Sequence, residues 1–162
     1  MGGVGVKKVF SSSFNTVKGK FTVLWSERGI YEIFFPGSGP AEEYPEKELP
    51  WSQLAADFDH YLAGGQVSWS DYPLDCCDYG TFSARLLKAV CLIPSGKVCT
   101  YRQMAEQAGS PLAWRAAGQA LARNRHPIIV PCHRVVGSNG KAGGFSGPAG
   151  WKEMLLKLEG AN

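Results

Sequence analysis

The sequence predicts two domains of different class, an α/β domain over residues 1–78 and a mainly α-helical domain over residues 79–162. Two strand-like apolar runs and one helical segment lie in the first part, whereas the second part holds several helical segments. The charge is divided in the same way. Residues 1–78 hold 6 Lys/Arg and 11 Asp/Glu, and residues 79–162 hold 11 Lys/Arg and 3 Asp/Glu. A length of 162 residues suits one or two small globular domains.

The first domain is predicted as a hairpin followed by a helix. Residues 21–25 and 30–35 are apolar and are expected to form strands, with residues 26–29 as the turn between them. Residues 1–20 show no clear pattern, and residues 36–50 are expected to form an exposed loop. A helix is predicted from the spacing of its apolar residues, Leu54, Phe58, Tyr61 and Leu62. No residue in this domain suggests catalysis, so its predicted role is support.

Helices dominate the second domain. One helix is predicted from the spacing of Phe82, Leu86, Val90 and Ile93, and another over residues 102–108. Gly109 then makes a turn, Ser110 is a suitable N-cap, and Pro111 suits the first position of a helix over residues 112–123. Two helices joined by a short glycine-containing turn are typical of a helix-turn-helix. A last amphipathic helix is predicted from Trp151, Met154, Leu155 and Leu158.

Small residues along the second helix of this pair favour a nucleic-acid partner. They keep one side of the helix thin, which would allow close approach to a nucleic-acid backbone; they are Ala113, Ala116, Ala117, Gly118 and Ala120. The basic charge of residues 79–162 also indicates a polyanion as partner.

Composition excludes several other classes of protein. No apolar run is long enough to span a membrane and no signal peptide is evident, so a cytoplasmic protein is expected. Five cysteines at irregular spacing make a poor disulfide framework, and no Cys-x-x-Cys accompanies the three histidines. We therefore expect neither a structural zinc site nor any other metal.

The chemistry is concentrated in residues 128–136, an apolar run that ends at Pro131 and is followed by Cys132 and His133. A cysteine attacks as its thiolate, and a neighbouring imidazole is the usual base that produces one. Adjacent side chains of a strand point to opposite faces, so these two residues can act together only where the strand ends or turns. A buried cysteine beside a surface histidine is the alternative that does not involve catalysis.

The stretch Pro131-Cys132-His133-Arg134-Val135 resembles the active-site motif of the O6-alkylguanine-DNA alkyltransferases. Asn124, residues 144–147 and residues 155–160 match the same family, and the resemblance is strong from about residue 79 to residue 160. It implies a ribonuclease-H-like N-terminal domain and a winged-helix-like C-terminal domain. It also implies repair by transfer of an alkyl group from O6 of guanine in double-stranded DNA to a cysteine, once per protein molecule, after the base is flipped out.

The resemblance assigns a role to each matching residue. Cys132 is the acceptor, His133 is the base that acts through a water, and Glu159 orients the imidazole. Tyr101 supplies a proton to the departing guanine, and Asn124 joins the recognition helix to the active-site strand. Arg115 would fill the gap left by the flipped base. The remaining residues expected to contact DNA or the flipped base are Ala113, Trp114, Pro127, Val135, Phe145 and Ser146.

The resemblance implies a monomer that needs no cofactor. Two positions depart from the family pattern: Trp114 is bulkier than the alanine often found there, and Phe145 lacks the hydroxyl of the tyrosine in some relatives. Three other functions each leave part of the sequence unexplained. A non-catalytic alkyltransferase-like damage binder would not need Cys132, a helix-turn-helix transcription regulator would need neither Cys132 nor Glu159, and a cysteine hydrolase would leave the basic half unexplained.

Overall fold

The computed structural model describes residues 7–140 and 143–161. The chain divides into two compact units, Met1–Asp75 and Cys76–Asn162. Within the described residues, no helix has the length and apolarity that crossing a bilayer requires.

Unit one contains a three-stranded antiparallel sheet in the order β1-β2-β3. Its strands are β1 (Phe10–Thr16), β2 (Gly19–Ser26) and β3 (Gly29–Phe34). The predicted hairpin corresponds to β2 and β3, whereas β1 was not predicted. Three consecutive serines in β1 hide its pattern, since they provide no alternation of apolar and polar residues.

Helix α1 (Leu54–Leu62) packs against this sheet through the face that its spacing predicts. Phe58 is fully buried, and its ring centroid lies 5.3 Å from that of Phe21 on β2 and 5.4 Å from that of Phe14 on β1. These aromatic contacts provide the core of the unit, because a large ring buries more apolar surface than any aliphatic side chain.

Unit two begins with α2 (Thr81–Val90), a short strand β4 (Cys99–Thr100) and α3 (Tyr101–Gln107). A capping box fixes the start of α3. The hydroxyl of Thr100 accepts from the backbone N–H of Gln103, and the backbone N–H of Thr100 donates to the side-chain oxygen of Gln103. The capping box therefore fixes Tyr101 as the first residue of α3.

Helix α4 (Trp114–Ala122) begins later than predicted. Ser110 is not its N-cap and Pro111 is not its first residue, because the carbonyl of Ser110 accepts from the backbone N–H of Ala113 in a separate turn. Ala113 takes the N-cap position, and no side chain caps the helix.

The small residues of α4 do not all lie on one outer side. Ala117 and Ala120 are buried, and α4 contacts α2 and α3 within the unit. Their size therefore permits close packing of helices. Of the small residues predicted to face a nucleic acid, Ala113, Ala116 and Gly118 are not buried and could still do so.

Residues 127–131 form a tight loop, so the predicted apolar strand before the cysteine is wrong. Pro127 and Val130 make an isolated bridge, and the backbone N–H of Val130 donates to the carbonyl of His126. Ile128 has a positive φ of 74°, which no regular strand contains. The segment is apolar because it is buried, and a short buried strand would have the same apolar sequence.

A 3₁₀ helix (Cys132–Arg134) follows the loop and leads into β5 (Val135–Val136). Strands β4 and β5 are parallel, with Cys99 opposite Val135 and Thr100 opposite Val136. The pairing holds the start of α3 beside the end of the 3₁₀ helix, and α5 (Trp151–Leu158) contacts that same 3₁₀ helix.

Candidate active site

Cys132 is the first residue of the 3₁₀ helix and is 2% exposed. Its sulfur lies 3.7 Å from the hydroxyl oxygen of Ser146. Burial raises the pKa of the Cys132 thiol, while hydrogen bonds from Asn124 and Ser146 and the charge of Lys152 oppose that shift. The resting group is therefore a thiol, and Asn124, Ser146 and Lys152 offset part of the cost of forming its thiolate.

Asn124 supports the loop that precedes the cysteine. Its side-chain amide donates to the carbonyl of Val130 at 3.1 Å, and its side-chain oxygen accepts from the backbone N–H of His126 at 2.9 Å. Asn124 follows the last turn of α4 and is buried. The asparagine therefore ties the end of α4 to a segment that is a loop and not the predicted strand.

Glu159 connects two neighbours of the cysteine. Its Oε1 lies 2.5 Å from Nε2 of His133, and its carboxylate accepts from the guanidinium of Arg134 at 2.9–3.2 Å. Arg134 also donates to the carbonyl of Ile93 at 2.6 Å. Burial lowers the pKa of His133 despite Glu159, so the imidazole is neutral at rest. A neutral imidazole that donates from Nε2 has Nδ1 as its basic nitrogen.

Lys152 is a buried amine that sequence reasoning did not assign to the site. Its ammonium donates to the carbonyl of Val135 at 2.6 Å and to that of Gly144 at 3.1 Å, and lies 3.4 Å from the hydroxyl of Tyr101. Burial lowers the pKa of Lys152 to about 8. The spacing of Lys152, Leu155 and Glu159 along one face of α5 was the available signal.

Tyr101 faces the same space. Its hydroxyl donates to the carbonyl of Gly144 at 3.1 Å, and burial, followed by the charge of a Cys132 thiolate, raises its pKa. Gly143 makes this placement possible, because a Cβ there would lie 2.6 Å from the hydroxyl and its φ of +69° favours glycine.

A second group lies at the N-terminal end of α4. The guanidinium of Arg115 lies over the ring of Trp114, 4.9 Å from its centroid, and that of Arg102 on α3 lies 5.3 Å from the same centroid. Trp114 is half-buried and Arg115 is exposed. The indole therefore holds the side chain of Arg115 against the protein.

The predicted residues thus fall into two groups. Around the cysteine lie His133, Glu159, Tyr101, Asn124, Ser146, Val135 and the buried Pro127. At the start of α4 lie Ala113, Trp114 and Arg115. Phe145 is half-buried in the loop beside Ser146. The sequence analysis assigned no role in the site to Arg134 or Lys152.

The arrangement defines a protein with an enclosed cysteine and a buried histidine–glutamate pair, beside two helices joined by a turn. Residues 81–161 match the family model described as "6-O-methylguanine DNA methyltransferase, DNA binding domain". Together with the relatives below, this match shows that the chain belongs to the family of methylated-DNA–protein-cysteine methyltransferases.

Relatives resemble the chain over most of its length. It is 48% identical to the methylated-DNA–protein-cysteine methyltransferase of Methanosarcina mazei, with 84% of this chain and 87% of that protein covered. The Homo sapiens protein of the same name is 33% identical, with 88% and 76% covered. The crystal structure of Mycobacterium tuberculosis OGT in complex with DNA matches with a TM-score of 0.83 and 30% identity, covering 93% of this chain and 92% of that one.

Proposed function

We propose that this protein repairs DNA by transferring an alkyl group from O6 of guanine to the sulfur of Cys132. The observation that carries this proposal is the enclosed arrangement of Cys132, a His133–Glu159 pair and Tyr101 around one space. The relatives named above support the reaction type, since their names state methyl transfer from DNA to a protein cysteine.

Activation of the thiol rests on His133. The thiol proton passes to Nδ1 through a water, since consecutive residues of a 3₁₀ helix direct their side chains apart. The carboxylate of Glu159 stabilises the imidazolium that results, in the same way as the third member of a catalytic triad. The cation of Lys152 and the donors Asn124 and Ser146 stabilise the thiolate.

The thiolate attacks the alkyl carbon, a carbon–sulfur bond forms, and the bond between that carbon and O6 breaks. The electron pair of the broken bond goes to guanine, which takes a proton from the hydroxyl of Tyr101. Lys152 lies 3.4 Å from that hydroxyl and stabilises the phenolate that is left. The product is a thioether, which has no proton to lose and is a poor leaving group, so each molecule reacts once.

The DNA side of the proposal uses α3 and α4. Arg115 enters the duplex and fills the gap of the flipped base, with Ala113 and Trp114 as further DNA contacts. Pro127 is buried in the cysteine loop, so its contact is with the flipped base. Val135, Phe145 and Ser146 contact the base, and Asn124 couples α4 to the cysteine loop. The proximity of Ser146 to the sulfur and the exposure of Arg115 support these roles.

The proposal also includes the class of each domain, the cellular location and the oligomeric state. Residues 1–78 form a ribonuclease-H-like support domain, and residues 79–162 form a winged-helix-like domain that binds DNA and accepts the alkyl group. The parallel β4–β5 pair next to α3 and α4 supports the second assignment. The protein acts as a cytoplasmic monomer on double-stranded DNA.

Intact mass after mixing with a duplex that contains O6-methylguanine tests the function. The wild-type protein is expected to gain one methyl group, and peptide mapping is expected to find it on Cys132. Cys132→Ser is expected to bind the duplex with unchanged affinity and to gain no mass.

Each alternative predicts a different result. Tight binding of the methylated duplex by the wild-type protein without a gain in mass would indicate a non-catalytic damage binder. Strong preference for one undamaged sequence would indicate a regulator. A methyl group on Cys132→Ser would show that the nucleophile is assigned wrongly.

A further inference from the structure

We propose that a basic cavity at the C-terminal end of α4 binds a phosphate of the DNA backbone, a contact separate from the alkyl-acceptor site. The cavity has a volume of about 400 Å³, and the polar side chains in its lining are Asp78, Tyr79, Ser83, Gln119, Arg123 and Arg125. The inference rests on the proposed function only for the identity of the polyanion as DNA.

A network behind the cavity fixes the position of Arg125. Its guanidinium lies over the ring of Tyr79, 4.4 Å from the centroid, and its backbone N–H donates to the hydroxyl of that same tyrosine at 2.9 Å. The tyrosine hydroxyl also lies 3.0 Å from Nδ1 of His126, which is fully buried. An arginine held in this way loses little side-chain freedom when it binds an anion.

The second arginine comes from the end of α4. Arg123 is the C-cap residue of that helix and is exposed, and Gln119 lies one turn earlier on the same face. The two arginines, only two residues apart, line one cavity, with Arg123 at the end of α4 and Arg125 in the segment that follows it. A guanidinium provides several N–H donors in a planar fork that matches the oxygens of a phosphate.

The start of α2 contributes to the same cavity. Gly80 is its N-cap, no side chain caps the helix, and its first turn holds no acidic residue. Helix N-termini favour anions because their first N–H groups lack partners within the helix. Asp78 also lines the cavity, and two arginines against one aspartate leave a net charge of +1 in the lining.

Position along α4 identifies the anion as part of a duplex. Arg115, Gln119 and Arg123 are spaced by four residues and are all exposed, so they lie along one side of the helix. Eight residues of helix span about 12 Å, which corresponds to between three and four steps of a duplex at ~3.4 Å per step. A duplex that receives Arg115 at one end of α4 therefore passes within reach of the cavity at the other end.

The salt dependence of binding to an undamaged duplex tests the site, because no alkyl transfer takes place on that ligand. Arg123→Gln and Arg125→Gln are each expected to weaken binding about tenfold at low salt, the effect of one lost charge-assisted hydrogen bond. Each is expected to reduce the slope of log K against log[salt] by about 0.9. The control is Lys88→Gln, which removes an exposed charge at the far end of α2 and is expected to leave the slope near that of the wild type.

Two further measurements separate the possible failures. Reaction with free O6-benzylguanine needs no DNA, so an unchanged rate in the arginine variants shows that fold and acceptor are intact. Neutral methylphosphonate linkages are placed one step at a time around an O6-methylguanine, which fixes the register of the duplex on Cys132→Ser. They are expected to weaken its binding at one position that has no effect when Arg123→Gln is added. Wild-type slopes in both variants, or a position that still affects Arg123→Gln, would overturn the phosphate site. Reduced slopes in a protein that never accepts an alkyl group would support the site and contradict the proposed function.

Discussion

Arg134 holds Glu159 by both oxygens of its carboxylate, with Nε at 2.9 Å from Oε2 and Nη2 at 2.9 Å from Oε1. The same Oε1 lies 2.5 Å from the imidazole of His133. The side chain of Glu159 is 2% exposed. The carboxylate that orients the imidazole is therefore kept in place by an arginine that takes no part in the proposed reaction.

Loss of this arginine should destabilise the protein. Arg134→Met is expected to lower the free energy of unfolding by about 3–5 kcal/mol, because it leaves a buried carboxylate without its main partner. Arg134→Lys keeps the charge but not the two-pronged contact, so its loss should be smaller. Urea unfolding at pH 7 measures both. A loss below about 1 kcal/mol for Arg134→Met would contradict the expectation.

The contact between Trp114 and Arg115 should couple the two residues in DNA binding. If Arg115 enters the duplex, it must first leave the indole ring, which opposes binding by about 0.5–1 kcal/mol. Trp114→Ala removes this opposition together with the DNA contact of Trp114 itself. In the Cys132→Ser background, Trp114→Ala is therefore expected to weaken binding of a methylated duplex two- to fivefold less when Arg115 is present than beside Arg115→Ala. Equal effects in both backgrounds would show that the indole acts on DNA independently of Arg115.

Lys152 should give the protein a recognisable dependence of stability on pH. Burial lowers its pKa from 10.5 to about 8, so between these values the unfolded chain keeps a proton that the folded protein has lost. Stability from this group therefore rises with pH over that window and is constant below it. The free energy of unfolding of Cys132→Ser minus that of Cys132→Ser/Lys152→Met is expected to rise from pH 8 to pH 10. A difference in unfolding free energy that stays constant from pH 8 to pH 10 would show that the ammonium of Lys152 is more solvated than the structure indicates.

Alkylation of Cys132 should lower the melting temperature. The sulfur is enclosed and has Ser146 at 3.7 Å, so an added group displaces neighbours, and overpacking typically costs about 1–3 kcal/mol. The benzyl adduct should melt below the methyl adduct, and both below the free protein. Circular dichroism of the three forms measures this order. Unchanged or higher melting temperatures for both adducts would refute the strain, though not the transfer.

Sequence patterns predicted those helices and strands whose buried residues recur at a regular spacing. The helical spacing of Leu54, Phe58 and Tyr61 corresponds to the buried side of α1. Strand β1 was missed because it is an edge strand whose residues are mostly half-buried, so burial leaves little pattern in its sequence. The loop at residues 127–131 was taken for a strand, because an enclosed loop and a buried strand are equally apolar.

One motif in the sequence indicated the candidate site. The two buried charged residues that support it, Lys152 and Arg134, were not predicted. Lys152 and Arg134 are charged, and charged side chains are usually exposed. Their burial depends on partners distant in sequence, such as the carbonyl of Ile93 for Arg134 and that of Val135 for Lys152. No periodic pattern indicates such a contact for Arg134, and for Lys152 the signal is its spacing from Leu155 and Glu159 on α5.

The residues that tune the cysteine lie after it in the chain, with Ser146, Lys152 and Glu159 all between 14 and 27 positions downstream. Protein synthesis proceeds from the N-terminus, so a ribosome completes Cys132 before any of these three exists. During that interval the thiol has neither its oriented imidazole nor its buried ammonium. A protein that reacts only once, as proposed, would thus acquire its reactivity late in its synthesis, after the helices α3 and α4 have already been made.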